Sequence, residues 1–319
     1  MRPWLLQHTP KSLLSLAWHH WPPLVAMAAV LAALLCLSSP SRGETYLPAA
    51  PLASSAGLST GMKPIRAFLG PRRTAQSILL KDLTTGRRLY EFEADRRLSP
   101  ASLTKVMSAL VILEYGHLQD YVSVSRKAAA ARKIRLRLRV GQVFTLEDLV
   151  KAMLITSAND ACLAAVEHVA GSEEWFVLLM NTKARALGLV DTNFSNACGF
   201  DAPDHYTTAA DLATLSEIAL RHPVFRAFVR SELEVITAVN VNRSYLLRNT
   251  NRLLGRVPGV EGVKTGFTSR AGRCLIAKVS QNRKELLLVL LHTTRRWHTA
   301  TSLISYGFQR LNTTTTPMQ

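Results

Sequence analysis

Strand-like segments lie at both ends of this chain, with a long helical stretch between them. Ile78 to Asp82 and Arg88 to Phe92 flank the turn Thr84-Thr85-Gly86 as a hairpin. Helical patterning runs from Ala101 to about Val229. Strands return at about Leu233–Val239, Gly262–Thr268, Gly272–Val279 and Leu286–Leu291, and a final helix spans about Trp297–Leu311. An unpaired strand edge invites aggregation, so the early hairpin must find the late strands across the helical insertion. This predicts an α+β fold, an antiparallel sheet flanked by helices with an inserted all-helical lobe at about 116–229.

Three short motifs fall on this framework. Ser102-Leu103-Thr104-Lys105 sits at a helix start, with Ser99 as expected N-cap, Pro100 at the first helical position and Gly116 as the stop. Lys105 lies one turn from Ser102 and shares its face. A serine hydroxyl needs a base, and a lysine serves only when neutral, which burial and a nearby cation both favour. The helix N-terminus adds N–H groups where negative charge develops. Ser157-Ala158-Asn159 connects a helix capped by Thr145 to another that starts at Asp160 and ends at Gly171; Asn159 or Asp160 acting merely as a cap is compatible with a catalytic role. Lys264-Thr265-Gly266 lies on a strand edge, where Gly266 permits close backbone approach of a substrate and Lys264 and Thr265 suit a carboxylate. A phosphate-binding loop is excluded, because Val263 separates Gly262 from Lys264. Read as S-x-x-K, S-x-N and K-T-G in this order, the motifs are the active-site set of serine acyl-transferases acting on D-alanyl peptides.

From about Ala75 to Leu311 the chain resembles the low-molecular-mass penicillin-binding proteins, the D-alanyl-D-alanine carboxypeptidases and related endopeptidases. The likeness extends to Pro100-Ala101, Asn159-Asp160-Ala161, Met180-Asn181, Ala186-Leu187-Gly188, Thr208 to Ala213, Gly262 to Thr268, and Arg296 followed by Gly307-Phe308. Two departures stand out. The basic run Arg132 to Arg139 replaces the usual Gly-rich, Ser-containing stretch, and Gly199-Phe200 stands where Gly-Leu is common.

The resemblance implies a serine-type carboxypeptidase that removes the terminal D-alanine from peptidoglycan stem peptides through an acyl-enzyme on Ser102, with Lys105 as base. Ser157 relays a proton to the leaving amine, and Asn159 positions the lysine and the substrate amide. Lys264, Thr265 and Gly266, with Arg296, serve the terminal carboxylate. The backbone N–H groups of Ser102 and Phe267 form the oxyanion hole. β-Lactams are the expected acylating inhibitors. Cross-link endopeptidase activity is the alternative. A β-lactamase is less favoured, since the E-x-x-L-N segment of the class A enzymes does not occur. A fold that binds peptidoglycan without turnover is disfavoured by the complete motif set. The resemblance stops near Leu311, so the β-rich C-terminal domain of many relatives is not expected.

Composition sets the remaining bounds. Residues 1–43 run from a basic stretch through the apolar Leu24–Leu37 to a small polar region, the pattern of a signal sequence or membrane anchor, and predict export to the periplasm or the outer face of the cytoplasmic membrane. Residues 44–74 read as a linker, 75–313 as the catalytic domain and 314–319 as a tail. Beyond Cys36, Cys162, Cys198 and Cys274 remain. Buried free thiols are the favoured state, with Cys162–Cys198 the pair open to oxidation. No cofactor and no metal is expected, since no metal-spaced His or Cys cluster occurs. His205 reads as structural.

The net charge is +17, concentrated in Arg126, Lys127, Arg132, Lys133, Arg135, Arg137 and Arg139. Nucleic acid is disfavoured, because no aromatic interleaving accompanies the charge. An anionic envelope polymer is the natural partner. The alternation of Ile134, Leu136, Leu138 and Val140 with basic residues predicts a strand or solvated hairpin, remote from the chemistry.

Overall fold

The computed structural model describes residues 74–313. The expected leader, nearly all of the linker, and the tail lie outside these residues. The first hairpin pairs β1 (Ala75–Asp82) with β2 (Arg88–Phe92). Its turn is held by the Asp82 carboxylate, which accepts from the Thr84 N–H at 3.0 Å and the Thr85 hydroxyl at 2.5 Å.

A single 3₁₀ turn, Ala101–Thr104, leads into α1 (Lys105–Tyr115), which stops at Gly116 as expected. Ser99 is not the cap: Pro100 takes that place with no side-chain bond, and Ala101 adopts a left-handed φ of 50° directly before Ser102. The tight turn bends the chain into the sheet before the α-helix begins, so capping at Ser99 has no place.

A small hairpin pairs β3 (Tyr121–Ser123) with β4 (Val143–Thr145) around the short α2 (Arg126–Ala129). The lobe then builds α3 (Leu146–Ile155), α4 (Asn159–Ala170), α5 (Glu173–Ala186), α6 (Ala209–Ala219) and α7 (Pro223–Arg230). Three of these helices start at a side-chain cap. Thr145, Ser172 and Thr208 each accept from the N–H three residues on, at 3.1, 3.2 and 3.0 Å, a bond worth about 1 kcal/mol. A further hairpin, β5 (Leu233–Thr237) with β6 (Ser244–Arg248), precedes β7 (Val260–Thr268), β8 (Gly272–Gln281), β9 (Lys284–Thr293) and α8 (Arg296–Thr313).

The main sheet has the order β2-β1-β9-β8-β7, antiparallel throughout. The early hairpin does cross the insertion: Ile78 pairs with Leu290 and Leu80 with Leu288. The unbroken apolar run Leu286–Leu291 is explained by burial on both faces. Leu287, Val289 and Leu291 face the helical lobe with Met107, Phe176 and Phe225, while Leu286, Leu288 and Leu290 pack under α8 against Leu303 and Phe308. This leaves β7 on the outer edge, against the Ala101–Thr104 turn.

Two sequence expectations fail here. Residues 133–140 form no strand or hairpin. Ile134 and Val140 are exposed and Leu138 is buried, so the alternation does not define one buried face. The backbone is held by a side chain instead: Asp160, fully buried, accepts from the N–H of Leu136 at 3.1 Å and of Leu138 at 3.0 Å. The cysteines also differ, because Cys162 on α4 is disulfide-bonded to Cys198, with Cα atoms 6.1 Å apart, while Cys274 is a buried free thiol.

Asp160→Ala removes the loop's acceptor and leaves buried donors unpaired. A loss of roughly 3 kcal/mol in unfolding free energy is expected, since a bond to a charged group contributes about 1.5–3 kcal/mol. Brief trypsin treatment of the native variant should cut between Arg132 and Arg139, while the parent resists; equal resistance shows that the loop is held by something else.

Candidate active site

The first two motifs meet at Lys105, which is completely buried. Its Nζ lies 3.2 Å from Ser102 Oγ, 2.7 Å from Asn159 Oδ1 and 2.5 Å from the Cys198 carbonyl oxygen. Burial holds its pKa well below the ordinary lysine value, and the charge of Lys264 lowers it further; Asp160 opposes both. A neutral amine has two N–H donors and one lone pair. In that form Asn159 and Cys198 would take the donors, which leaves the lone pair for the Ser102 hydroxyl.

Asn159 is itself oriented. Its Nδ2 donates to the Arg132 carbonyl at 3.0 Å, and its backbone N–H donates to the Ile134 carbonyl at 2.9 Å. The basic run is therefore not remote: its backbone forms one wall of the site. Ser157 precedes Asn159 with a left-handed φ of 65°, and its buried Oγ has no hydrogen-bond partner among the described residues. A strained residue with an unsatisfied buried hydroxyl is a mark of a functional site.

The third motif approaches on β7. Lys264 is buried, with Nζ 3.1 Å from the Thr265 carbonyl, and burial together with the nearby Arg296 pushes its pKa down to about 7. Thr265 Oγ1 lies 2.6 Å from Thr250 Oγ1. Gly266 was expected to admit a substrate backbone. The structure shows a nearer reason for glycine: a Cβ there would lie 3.1 Å from Ala101 Cβ, the Pro100 carbonyl and the Ser102 nitrogen. Phe267 is exposed on the edge strand. Arg296 reaches β7 from α8, donating to the carbonyls of Gly266 at 3.0 Å and Cys274 at 2.9 Å. It braces the strand and supplies positive charge beside Lys264.

Other parts of the site carried no motif. The Cys198 carbonyl is a backbone atom, so its residue type gives no sign of it. Gly199 has φ 84°, and a Cβ there would fall 2.0 Å from the Ala101 carbonyl, so only glycine lets this loop reach the nucleophile turn. His205 is structural, as expected. Its Nδ1 accepts from the Ser195 N–H at 3.0 Å, which leaves Nε2–H for Thr104 Oγ1 at 2.8 Å.

Ser102 and the buried Lys105 at a helix start, set against an edge strand bearing Lys-Thr-Gly, carry the motif set of serine acyl-transferases. Comparison with known proteins agrees. Residues 67–294 match the family model described as D-alanyl-D-alanine carboxypeptidase, and the chain belongs to this family. It is 35% identical over 247 residues to D-alanyl-D-alanine carboxypeptidase DacF of Bacillus subtilis, covering 75% of this chain and 63% of that protein. It is 36% identical over 262 residues to D-alanyl-D-alanine carboxypeptidase DacC of Escherichia coli, covering 77% of this chain and 64% of that one. The chain thus spans less than two-thirds of these relatives' length. Among solved structures, a Streptomyces DD-transpeptidase superposes with a TM-score of 0.71 at 28% identity, covering 74% of this chain and 97% of that one.

Burial pushes the His205 pKa from about 6.5 down to about 4. Between these values the unfolded chain binds a proton that the folded chain does not, so stability falls as pH drops through this window and levels off below it. At about 1.4 kcal/mol per unit the term amounts to about 3 kcal/mol. Urea unfolding of the parent and of His205→Gln at pH 7 and pH 4.5 should show a smaller acid loss in the variant; equal losses place the acid sensitivity in other groups.

Proposed function

We propose that this chain is a serine-type D-alanyl-D-alanine carboxypeptidase acting on peptidoglycan stem peptides. The observation that supports it best is the Lys105 amine, fully buried, with its Nζ within reach of Ser102 Oγ, Asn159 Oδ1 and the Cys198 carbonyl. Lys105 takes the hydroxyl proton as Ser102 Oγ attacks the carbonyl between the two D-alanines. The negative oxygen is held by backbone N–H groups of Ser102 and Phe267. The C–N bond then breaks, and the leaving amine gains its proton from Lys105 through Ser157, whose hydroxyl is otherwise unpartnered. Water, deprotonated by Lys105, opens the Ser102 ester and releases the shortened peptide. Lys264, Thr265 and the backbone at Gly266 hold the terminal carboxylate, with Arg296 reinforcing the field. A β-lactam enters by the same attack and remains as the acyl ester.

Export is supported by the leader pattern of residues 1–43 and by the Cys162–Cys198 disulfide, which suits an oxidising compartment. The positive surplus favours attraction to anionic envelope polymer. A groove of about 1250 Å³, lined by Thr250, Arg252, Arg273, Arg295, Arg296 and Trp297, opens at the Thr265 end of the site. It has room for a leaving group larger than D-alanine. Cleavage of cross-links is therefore the second reading, and a relative named D-alanyl-D-alanine endopeptidase from Pseudomonas aeruginosa, 31% identical over 67% of this chain and 70% of that protein, supports it. Digestion of pentapeptide and cross-linked muropeptides separates the two.

Labelled penicillin should attach stoichiometrically to the parent at Ser102 and not at all to Ser102→Ala. Labelling of the alanine variant would place the nucleophile elsewhere.

The charge on Lys264 is present below about pH 7 and lost above it. For a substrate ending in a free carboxylate, kcat/KM should therefore fall above pH 7, approaching tenfold per unit. Lys264→Arg keeps its charge at all working pH and should flatten this limb. A parent profile flat from pH 7 to 9 contradicts the assignment.

A further inference from the structure

The segment 132–137 is the most basic stretch beside the catalytic centre, and no step above uses its side chains. Arg132, Lys133, Arg135 and Arg137 are exposed and, among the described residues, pair with no carboxylate, whereas nearby Lys127 is shared between Glu173 and Glu174. With Ile134 the four cations surround a recess of about 480 Å³.

The loop's conformation is held by the site. Asp160 accepts from the N–H groups of Leu136 and Leu138, and Asn159 bonds the carbonyls of Arg132 and Ile134. Lys133 at φ 66° and Arg137 at φ 63° are both left-handed, a conformation that suits glycine or asparagine and strains a long side chain. The chain keeps a cation at both positions despite that strain.

The recess also adjoins the Asn159 wall of the site. Only Asn159 and Lys105 separate the Arg132 carbonyl from Ser102 Oγ. A peptide whose terminal carboxylate sits at Lys264 and Thr265 places its scissile carbonyl over Ser102. Its upstream residues then run toward the Asn159 wall.

We propose, on the basis of the DD-peptidase reading, that the recess formed by Arg132, Lys133, Arg135 and Arg137 binds a carboxylate on the acyl portion of the peptide, upstream of the scissile bond. Guanidinium groups recognise carboxylates in a bidentate manner, so the loop selects acidic peptides over their amidated counterparts.

The test uses two synthetic peptides ending in D-alanyl-D-alanine. They differ only in one upstream side chain, a carboxylate in one and its amide in the other. The parent should favour the carboxylate peptide about fivefold in kcat/KM at low salt, mostly through KM. The preference should fade by about 1 M salt, where the Debye length is about 3 Å. The double variant Lys133→Asn/Arg137→Asn removes two cations while suiting the left-handed backbone, so the loop should keep its shape, and penicillin labelling reports that the site is intact. Its preference should drop to within about twofold. A control, Arg87→Gln/Arg88→Gln, removes two cations from the hairpin on the opposite sheet edge and should retain the preference.

Equal use of both peptides by the parent overturns the proposal, as does undiminished preference in the double asparagine variant. Loss of binding to soluble polyphosphate with peptide preference unchanged assigns the recess to polymer and overturns it too. A parent that cuts neither peptide and takes up no penicillin overturns the DD-peptidase reading, and this assignment with it.

Discussion

Withdrawing the Lys105 side chain from water sets the terms for the structure around it. A charged ammonium in that position costs several kcal/mol unless it is well paired, and among the described residues no carboxylate lies within hydrogen-bond distance of its Nζ. The neutral amine needs two acceptors, and they come from different parts of the chain. One is the Asn159 side chain at the start of α4; the other is the Cys198 carbonyl. The disulfide from Cys162 to Cys198 ties these parts together. Gly199 lets the second pass close to Ala101. Arg132 and Ile134 fix Asn159, and Asp160 fixes the loop that carries them. A polar network buried this deeply has to be satisfied throughout, and each member explains the next.

Much of this was legible in the sequence. Apolar runs at the two ends required a sheet closed across an insertion, and β1 pairs with β9 as that demands. The start of α3 was marked by Thr145 and the stop of α4 by Gly171, because capping is local chemistry. The three motifs marked the side chains now found around Lys105 and along β7. The structure shows them within reach of one another, and the roles given to them rest on that geometry and on family membership.

What escaped was non-local. The alternation over 133–140 has the period of a strand, yet its N–H groups bond the carboxylate of Asp160, more than twenty residues on, rather than a neighbouring strand. The three cysteines beyond Cys36, without close spacing, favoured free thiols; only the packing of α4 against the loop after Asn193 brings Cys162 and Cys198 together. The Cys198, Arg132 and Ile134 carbonyls act as backbone atoms, which every residue type supplies. Gly266 was marked as a point of close approach for a substrate; that the protein's own Ala101–Thr104 turn also packs against it was not legible.

The depressed pKa of Lys264 has a consequence for the energetics of recognition. A carboxylate docking on this lysine stabilises the protonated form and raises its pKa above about 7. Near neutrality only part of the free population carries that proton, so association draws the remainder from the medium. Heats of binding for a carboxylate ligand will then vary with the ionisation enthalpy of the buffer, and a weakly buffered solution will turn alkaline as complex forms. A carboxylate ligand would thus itself complete the charge of the site that receives it.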